Sequence, residues 1–301
     1  MTDLAILYEH PLWFTPLFDA LDRRGMGFER LTTKQGFDPV APDAPAPLIL
    51  NRIAMSAFLR EAEHPIFWTL GLLDHWERAG ARVLNGTAAL AIDTSKARQL
   101  SLLASIGLAV PRTRVVHRGV DVEQAADAIG FPLLVKANIG GAGAGIVRFD
   151  NRDALRAAIA DDTLPRSIDG VLLVQEHVPA RGERVTRIET LDRAYLYAID
   201  VAGAGAFDLC PADACQTPGG AITMTAAEPD PTLRAAAEAI ARAARLDLGG
   251  VEYMIDDRDG TPRFYDINAL SNFVARPLDV LGWDPHDRLV DRLIAWIAET
   301  R

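Results

Sequence analysis

With 301 residues, the chain has room for two or three domains of about 100–200 residues each. Its apolar fraction of 49% and charged fraction of 24% describe an ordinary globular protein, and a net charge of −10 argues against a nucleic-acid partner, which would require a basic surface. No apolar run reaches the roughly 20 residues of a membrane span, and no basic region precedes the first apolar stretch, so neither a membrane segment nor a secretory signal is expected. Two cysteines, Cys210 and Cys215, are too few for a disulfide framework, and a cytoplasmic protein fits these features. The chain holds 28 arginines against three lysines, Lys34, Lys96 and Lys136. Where arginine is the general-purpose cation, a retained lysine can mark a site that needs a compact ammonium on a flexible stem.

Leu4–Tyr8 reads as a buried strand, Thr15–Arg24 as a helix ended by Gly25, and Leu48–Leu50 as another strand. Phe67–Ala79 has helical spacing, stops at Gly80, and is followed by the strand Arg82–Leu84. This alternation predicts a small parallel α/β domain over about residues 1–90, with Pro39–Pro47 as a surface loop. A helix is expected over Ser95–Ile106, N-capped by Asp93 or Thr94 and ended by Gly107. Beyond Val110, strands lie closer together with glycine loops between them. Helices are expected at Arg234–Arg245 and Leu289–Glu299.

Three segments carry chemistry. The first is the strand Phe131–Lys136, which runs into Gly140, Gly141, Gly143 and Gly145 before the strand Ile146–Phe149. Glycines let backbone N–H groups approach phosphate oxygens. The loop lacks the terminal Gly-Lys-Ser/Thr of a P-loop, and its G-x-G-x-G spacing leads into a strand where a dinucleotide fingerprint would open a helix. It therefore reads as a flap between two strands, or as a plain flexible hairpin. The second segment, Val171–Val178, begins apolar and ends in Gln175, Glu176, His177 and Val178. Its polar end can offer backbone groups to a purine, or can simply terminate a strand at the surface.

The third segment is the most specific. Gly249–Asp256 and Arg263–Asn268 read as two strands joined by a turn containing Asp259-Gly260, a strong hairpin signal. A turn centred on Asp259 places Glu252 opposite Asp266, with Asn268 on the same face. Two carboxylates and an amide oxygen then converge, a set suited to Mg²⁺. A register half a residue away would put Glu252 opposite Ile267 and leave ordinary solvent-facing groups.

In this order, these pieces resemble the ATP-grasp superfamily, and most closely its RimK-like and glutathione-synthetase-like ligases. The likeness runs from Asp93 to Asn272. It is carried by Asp93-Thr-Ser-Lys96, Gly107–Pro111, Phe131–Lys136, the glycines 140–145, Gln175–Val178, Gly182-Glu183 and the carboxylate–asparagine hairpin. The resemblance implies an α/β (α+β) ATP-grasp fold with a pre-ATP-grasp domain over residues 1–92, a lid subdomain over 93–177 and a C-terminal subdomain over 178–301. It implies that ATP is held by Lys96, Lys136, Gly140, Gly141, Gly143, Gln175, Glu176, His177, Val178 and the ribose-binding Glu183. It implies Mg²⁺, with Mn²⁺ as a substitute, on Glu252, Asp266 and Asn268.

The implied activity joins a carboxylate to an amine through an acyl phosphate, on an amino acid or small peptide, with Arg187 or Arg184 steadying the developing charge. Small-molecule substrates are the implied partners, and dimers are common among relatives. Departures are the Glu252/Asp266 order of the acids, a disturbed arginine motif after Glu183, and Asp200 where many relatives carry a phosphate-contacting arginine, a duty that Arg184, Arg187 or Arg276 would then take. A kinase on the same fold and a non-catalytic ATP-binding protein are the alternatives. Cys210–Cys215 reads as a structural or substrate-facing loop. Asn51-Arg52 reads as a carboxylate-binding pair or a surface salt bridge, and Ser271-Asn272 as substrate-orienting.

Overall fold

The computed structural model describes residues 2–34, 36–41, 43–60, 62–141, 145–203 and 223–300. Cys210, Cys215 and Gly143 lie outside the described residues.

Strands β1 (Leu4–Tyr8), β2 (Glu29–Thr32), β3 (Leu48–Arg52) and β4 (Arg82–Leu84) form a parallel sheet in the order β2-β1-β3-β4. Helices α1 (Thr15–Arg23) and α2 (Ile66–Arg78) connect it, as the alternating pattern predicts. β2 escaped the sequence reading because its Glu-Arg-Leu-Thr is an edge strand with no buried residue. Helix α3 (Thr87–Asp93) was also unexpected, and it ends where α4 (Lys96–Ser105) begins. The expected cap therefore moves: Asp93 and Thr94 close α3, and Ser95 caps α4 by accepting from the Arg98 N–H.

A second sheet is antiparallel throughout, in the order β5-β8-β6-β7: β5 (Thr113–Val116), β6 (Leu133–Ala137), β7 (Ile146–Phe149) and β8 (Leu172–Glu176). Leu133, Val135, Phe149 and Val174 pack one face onto α5 (Val122–Ile129) and α6 (Arg152–Ala160). The two-residue period of a strand then turns Lys136 and Gln175 to the opposite face.

The third sheet is also antiparallel, in the order β11-β10-β9-β12-β13. Its strands are β9 (Arg184–Leu191), β10 (Ala194–Ala202), β11 (Thr223–Ala227), β12 (Leu248–Ile255) and β13 (Pro262–Asn268). Ile188, Ala198, Val251 and Tyr253 cover α4 and α7 (Pro231–Ala243) on one face. Val185, Tyr197, Ile199 and Val201 join a core with the first sheet and the C-terminal α9 (Pro285–Thr300) on the other. A short helix, α8 (Pro277–Val280), lies between β13 and α9.

Two buried amides fasten these layers near the site. Asn85 donates to the carbonyls of Leu248 (2.6 Å) and Ala269 (2.7 Å) and accepts from the Asp247 N–H. Gln99 of α4 donates to the Ile267 carbonyl and accepts from the Ile267 N–H, closing the exposed edge of β13.

Candidate active site

The hairpin of β12 and β13 pairs Glu252 with Asp266 and Gly250 with Asn268. The expected pairing is found, but by a different route. At the turn, Ile255 faces Pro262 and Tyr253 faces Phe264, a register that would set Glu252 against Tyr265. A bulge between Glu252 and Tyr253 inserts Tyr265 as an extra residue and restores Glu252 to Asp266. Because two residues then oppose one, Tyr265 also reaches the site, and its hydroxyl donates to Glu252 Oε2 at 3.0 Å.

The carboxylates are surrounded by donors. Lys96 Nζ donates to Asp266 Oδ1. Asn268 Nδ2 donates to Glu252 Oε1 and to Asp266 Oδ2, each at 3.3 Å. Arg187 donates to Glu252 Oε1 (3.0 Å) and to Glu189 Oε1 (2.6 Å), with all three residues buried. This is possible only because position 250 is glycine: a Cβ there would lie 2.5 Å from the Arg187 guanidinium. Lys136 is buried, with Nζ 5.8 Å from the Tyr265 ring centroid.

The lysines converge because the start of α4 is tied to the end of β6. The Lys96 N–H donates to the Asn138 carbonyl, and Asn138 Oδ1 accepts from the Ala97 N–H and the Ser95 hydroxyl. On the same side, Gly141 lies against Ser56, where a Cβ would come within 2.9 Å of the Ser56 Cβ.

Crowding like charges into a dry site shifts their proton affinities. Burial, then the neighbouring Lys96, brings the Lys136 ammonium down to about 8. Burial works against the Lys96 charge, but Asp266 outweighs it and raises this lysine. Glu252 is raised by burial and by Asp266. Asp93 is pushed up to about 7, mainly by burial and further by Asp266, although the Ala269 N–H supports its charged form. Burial also opposes the charge on Arg187, but Glu189 and Glu252 more than offset that and raise it.

Other expected residues sit elsewhere. Arg184 alternates with Val185 and Arg187, so it lies on the sheet face opposite Glu252. There it stands 3.6 Å from Asp200, which also accepts from the Thr186 hydroxyl. Of the three candidate arginines, Arg184 is thus turned away from the carboxylates and Arg187 toward them, and Asp200 does not face the lysines. Glu183 is exposed, in a tight turn with φ of 49°. Gln175 Nε2 donates to the Thr113 hydroxyl, and the buried Glu176 carboxylate receives the Arg112 N–H, Arg112 and Arg258. His177 Nε2 lies 3.2 Å from Arg148, and burial followed by that arginine lowers its proton affinity. Val178 is buried.

Asn51 is structural, bonding to the Asn85 carbonyl and to the Ile53 N–H. Arg52 is not a surface residue: it is 3% exposed, and its Nε lacks a partner among the described residues. Burial brings it down to about 10, against the pull of Glu189 and Asp93. The sequence reading missed Glu189, Tyr265 and Asp93 as members of this cluster. An acid two residues from Arg187, hence on the same face of the strand, was the available signal for Glu189.

Among the described residues no three His, Cys, Asp or Glu side chains group as metal ligands. The oxygen set is two carboxylates and one amide, and turning the Asn268 amide over would present Oδ1 to a cation. Such a set fits Mg²⁺, which takes few protein oxygens and completes its shell with phosphate and water. No helix among the described residues is long and apolar enough to cross a membrane.

The sequence profile of the RimK-like ATP-grasp domain matches residues 93–275, and the chain belongs to that family. It is similar to a ribosomal protein bS6–L-glutamate ligase of Shigella boydii, 34% identical over 113 residues, and to a probable α-L-glutamate ligase of Citrobacter koseri, 33% identical over 121 residues. The Shigella match covers 37% of each chain; the Citrobacter match covers 40% of this chain and 39% of that one. The chain thus spans well under half the length of these curated relatives.

In fold it is similar to the ATP-grasp ligase PsnB complexed with a phosphomimetic variant of its minimal precursor, Mg and ADP (TM-score 0.72, 19% identity, 99% of this chain and 100% of that one). It is likewise similar to D-alanine–D-alanine ligase from Bacillus anthracis complexed with ATP (TM-score 0.71, 15% identity, 99% and 98%). At these identities the likeness establishes the ATP-grasp fold.

Proposed function

We propose that this member of the RimK-like ATP-grasp family is an ATP-dependent carboxylate–amine ligase acting on an amino acid or small peptide. The observation that carries the reading is the meeting of Glu252, Asp266 and Asn268 with Lys96 and Lys136 in one partly buried site. Two paired acids flanked by two lysines, with burial and then Asp266 raising the proton affinity of Glu252, are poorly explained as structural and well explained as a polyphosphate–Mg²⁺ site.

In this reading, Lys96 exchanges Asp266 for phosphate oxygens when the nucleotide enters, and Lys136 gains the anion it lacks. Glycines 140, 141 and 143 supply backbone N–H groups over the phosphates, and the 175–178 segment supplies backbone contacts to adenine, with Glu183 near the ribose. When bound to Glu252, Asp266 and Asn268, Mg²⁺ neutralises charge on the β- and γ-phosphates. Arg187 acts by holding Glu252 in place.

A substrate carboxylate oxygen attacks the γ-phosphorus and ADP leaves. An amine then attacks the acyl carbon, forming the amide, while phosphate leaves and the amine proton passes to water. The protein's part is positioning, charge neutralisation and exclusion of water from the acyl phosphate. The relatives named for glutamate and ribosomal protein bS6 support a carboxylate–amine pair of amino-acid or peptide type, and such substrates fit a cytoplasmic enzyme.

The test is Mg²⁺-dependent release of ADP and phosphate from ATP with pooled amino acids and short peptides. Turnover should be lost in Lys136→Ala and in Asp266→Ala. A phosphorylated product with no free phosphate would identify a kinase. ATP binding without turnover for any pair would identify a binding protein.

A further inference from the structure

Beyond the nucleotide cluster, the loop after β13 forms one wall of a cavity of about 640 Å³. Asn272 lines it only four residues after Asn268, a stretch of chain that can span at most about 14 Å. Its other wall is the segment after β1, with Leu12 and Trp13. The lining is mostly apolar, and Leu12 and Leu278 stand at its surface 75% and 68% exposed, an unusual degree for leucine.

Arg276 also lines it, exposed and with no ion-pair partner among the described residues. Its backbone and that of Phe273 are left-handed, φ 50° and 58°, which is strained for side chains of this size. The loop is nevertheless pinned: the Val274 N–H donates to the buried Tyr197 hydroxyl and the Phe273 N–H to Ser271. Asn272 Oδ1 on this wall and Trp13 Nε1 and His10 Nδ1 on the other are closed to water and lack partners among the described residues.

We propose that this cavity takes the amine-bearing substrate, and that this substrate is an α-amino acid, free or as a short peptide, with a bulky apolar side chain and a free carboxylate held by Arg276. The inference rests on the ligase reading for the word substrate, while the pocket's chemistry stands by itself. An apolar side chain buries against Leu12, Trp13 and Phe273. A glutamate side chain would face that wall and the exposed Asp279, which also lines the cavity beside an Asp284 engaged by His286 and Arg23. The acceptor therefore differs from the glutamate for which the similar ligases are named.

The test is calorimetric titration of the Mg–ADP-loaded protein with L-phenylalanine, L-leucine, L-glutamate and L-phenylalaninamide, followed by ADP-release rates with the same compounds. Phenylalanine and leucine should bind at least about tenfold more tightly than glutamate or the amide. Arg276→Asn, which tolerates the left-handed backbone, should erase the difference between acid and amide, and Leu12→Asp should weaken phenylalanine. Glutamate binding as tightly as phenylalanine, an unchanged acid–amide difference in Arg276→Asn, or no binding by either apolar amino acid would overturn the inference. Turnover with glutamate and none with phenylalanine would overturn it and leave the ligase reading standing. Phenylalanine binding without amide formation from any carboxylate would do the reverse.

Discussion

Replacing Lys136 with methionine should make the nucleotide-free protein more stable while abolishing its use of ATP. Lys136 is 8% exposed, Lys96 opposes its charge, and its proton affinity falls from 10.5 to about 8. At about 1.4 kcal/mol per unit, keeping it charged in the fold costs about 3 kcal/mol relative to the unfolded chain. Methionine has similar length and no charge, so after lost contacts such as the Tyr265 ring the gain should be about 2 kcal/mol.

The sign fixes a pH signature. Between about pH 8 and 10.5 the unfolded chain binds the extra proton, so wild-type stability from this group rises with pH across that window. The advantage of Lys136→Met is therefore full near neutral pH and gone near 10.5. Urea unfolding of both proteins in magnesium-free buffer, near pH 7 and near pH 10, measures it. Saturating Mg–ADP at about 100 times its Kd should add about 2.7 kcal/mol to wild type and nothing to the variant. A variant less stable than wild type at neutral pH, or an advantage that does not shrink with pH, would refute the assignment of Lys136 as a buried charge awaiting an anion.

Other expectations follow from the same cluster. Arg187→Met strands Glu189 and Glu252 without their cation and should destabilise the fold by about 3–5 kcal/mol, read in chemical unfolding. Gly250→Ala drives a methyl into the Arg187 guanidinium and should reproduce a loss of about 1–3 kcal/mol. Asp93 is raised to about 7, so its contribution is fully present below about pH 4 and is lost as pH rises through 7; Asp93→Asn should therefore stabilise the protein at about pH 8 and leave it unchanged near pH 4. Asp266→Asn should weaken Mg–ADP binding at least tenfold while leaving the fold intact, measured by calorimetry beside circular dichroism.

What could be read from the sequence was local or periodic. The parallel α/β layer showed in strands alternating with helices, and Lys136 stood out as one of three lysines at the end of an apolar strand. The hairpin was legible from Asp259-Gly260, yet its true register depends on a bulge at Tyr265, which no turn signal encodes. Arg187 and Glu189 could not be placed because β9 lies beside β12, some sixty residues on in the chain, and only that adjacency brings Glu252 to them. Arg184 was drawn into the site by its position near a familiar motif, whereas strand alternation sends it to the other face. Ser95, Thr94 and Asp93 are all competent caps, and only the unforeseen end of α3 decides among them.

The most direct test of the central claim is isotopic. A carboxylate substrate labelled with ¹⁸O is incubated with ATP, Mg²⁺, an amine and the protein, and the released phosphate is examined by mass spectrometry. Ligation through an acyl phosphate predicts one ¹⁸O transferred to phosphate for each amide formed, and no transfer in Lys136→Ala. Amide formation with unlabelled phosphate, or label transfer unaffected by Lys136→Ala, would contradict the account.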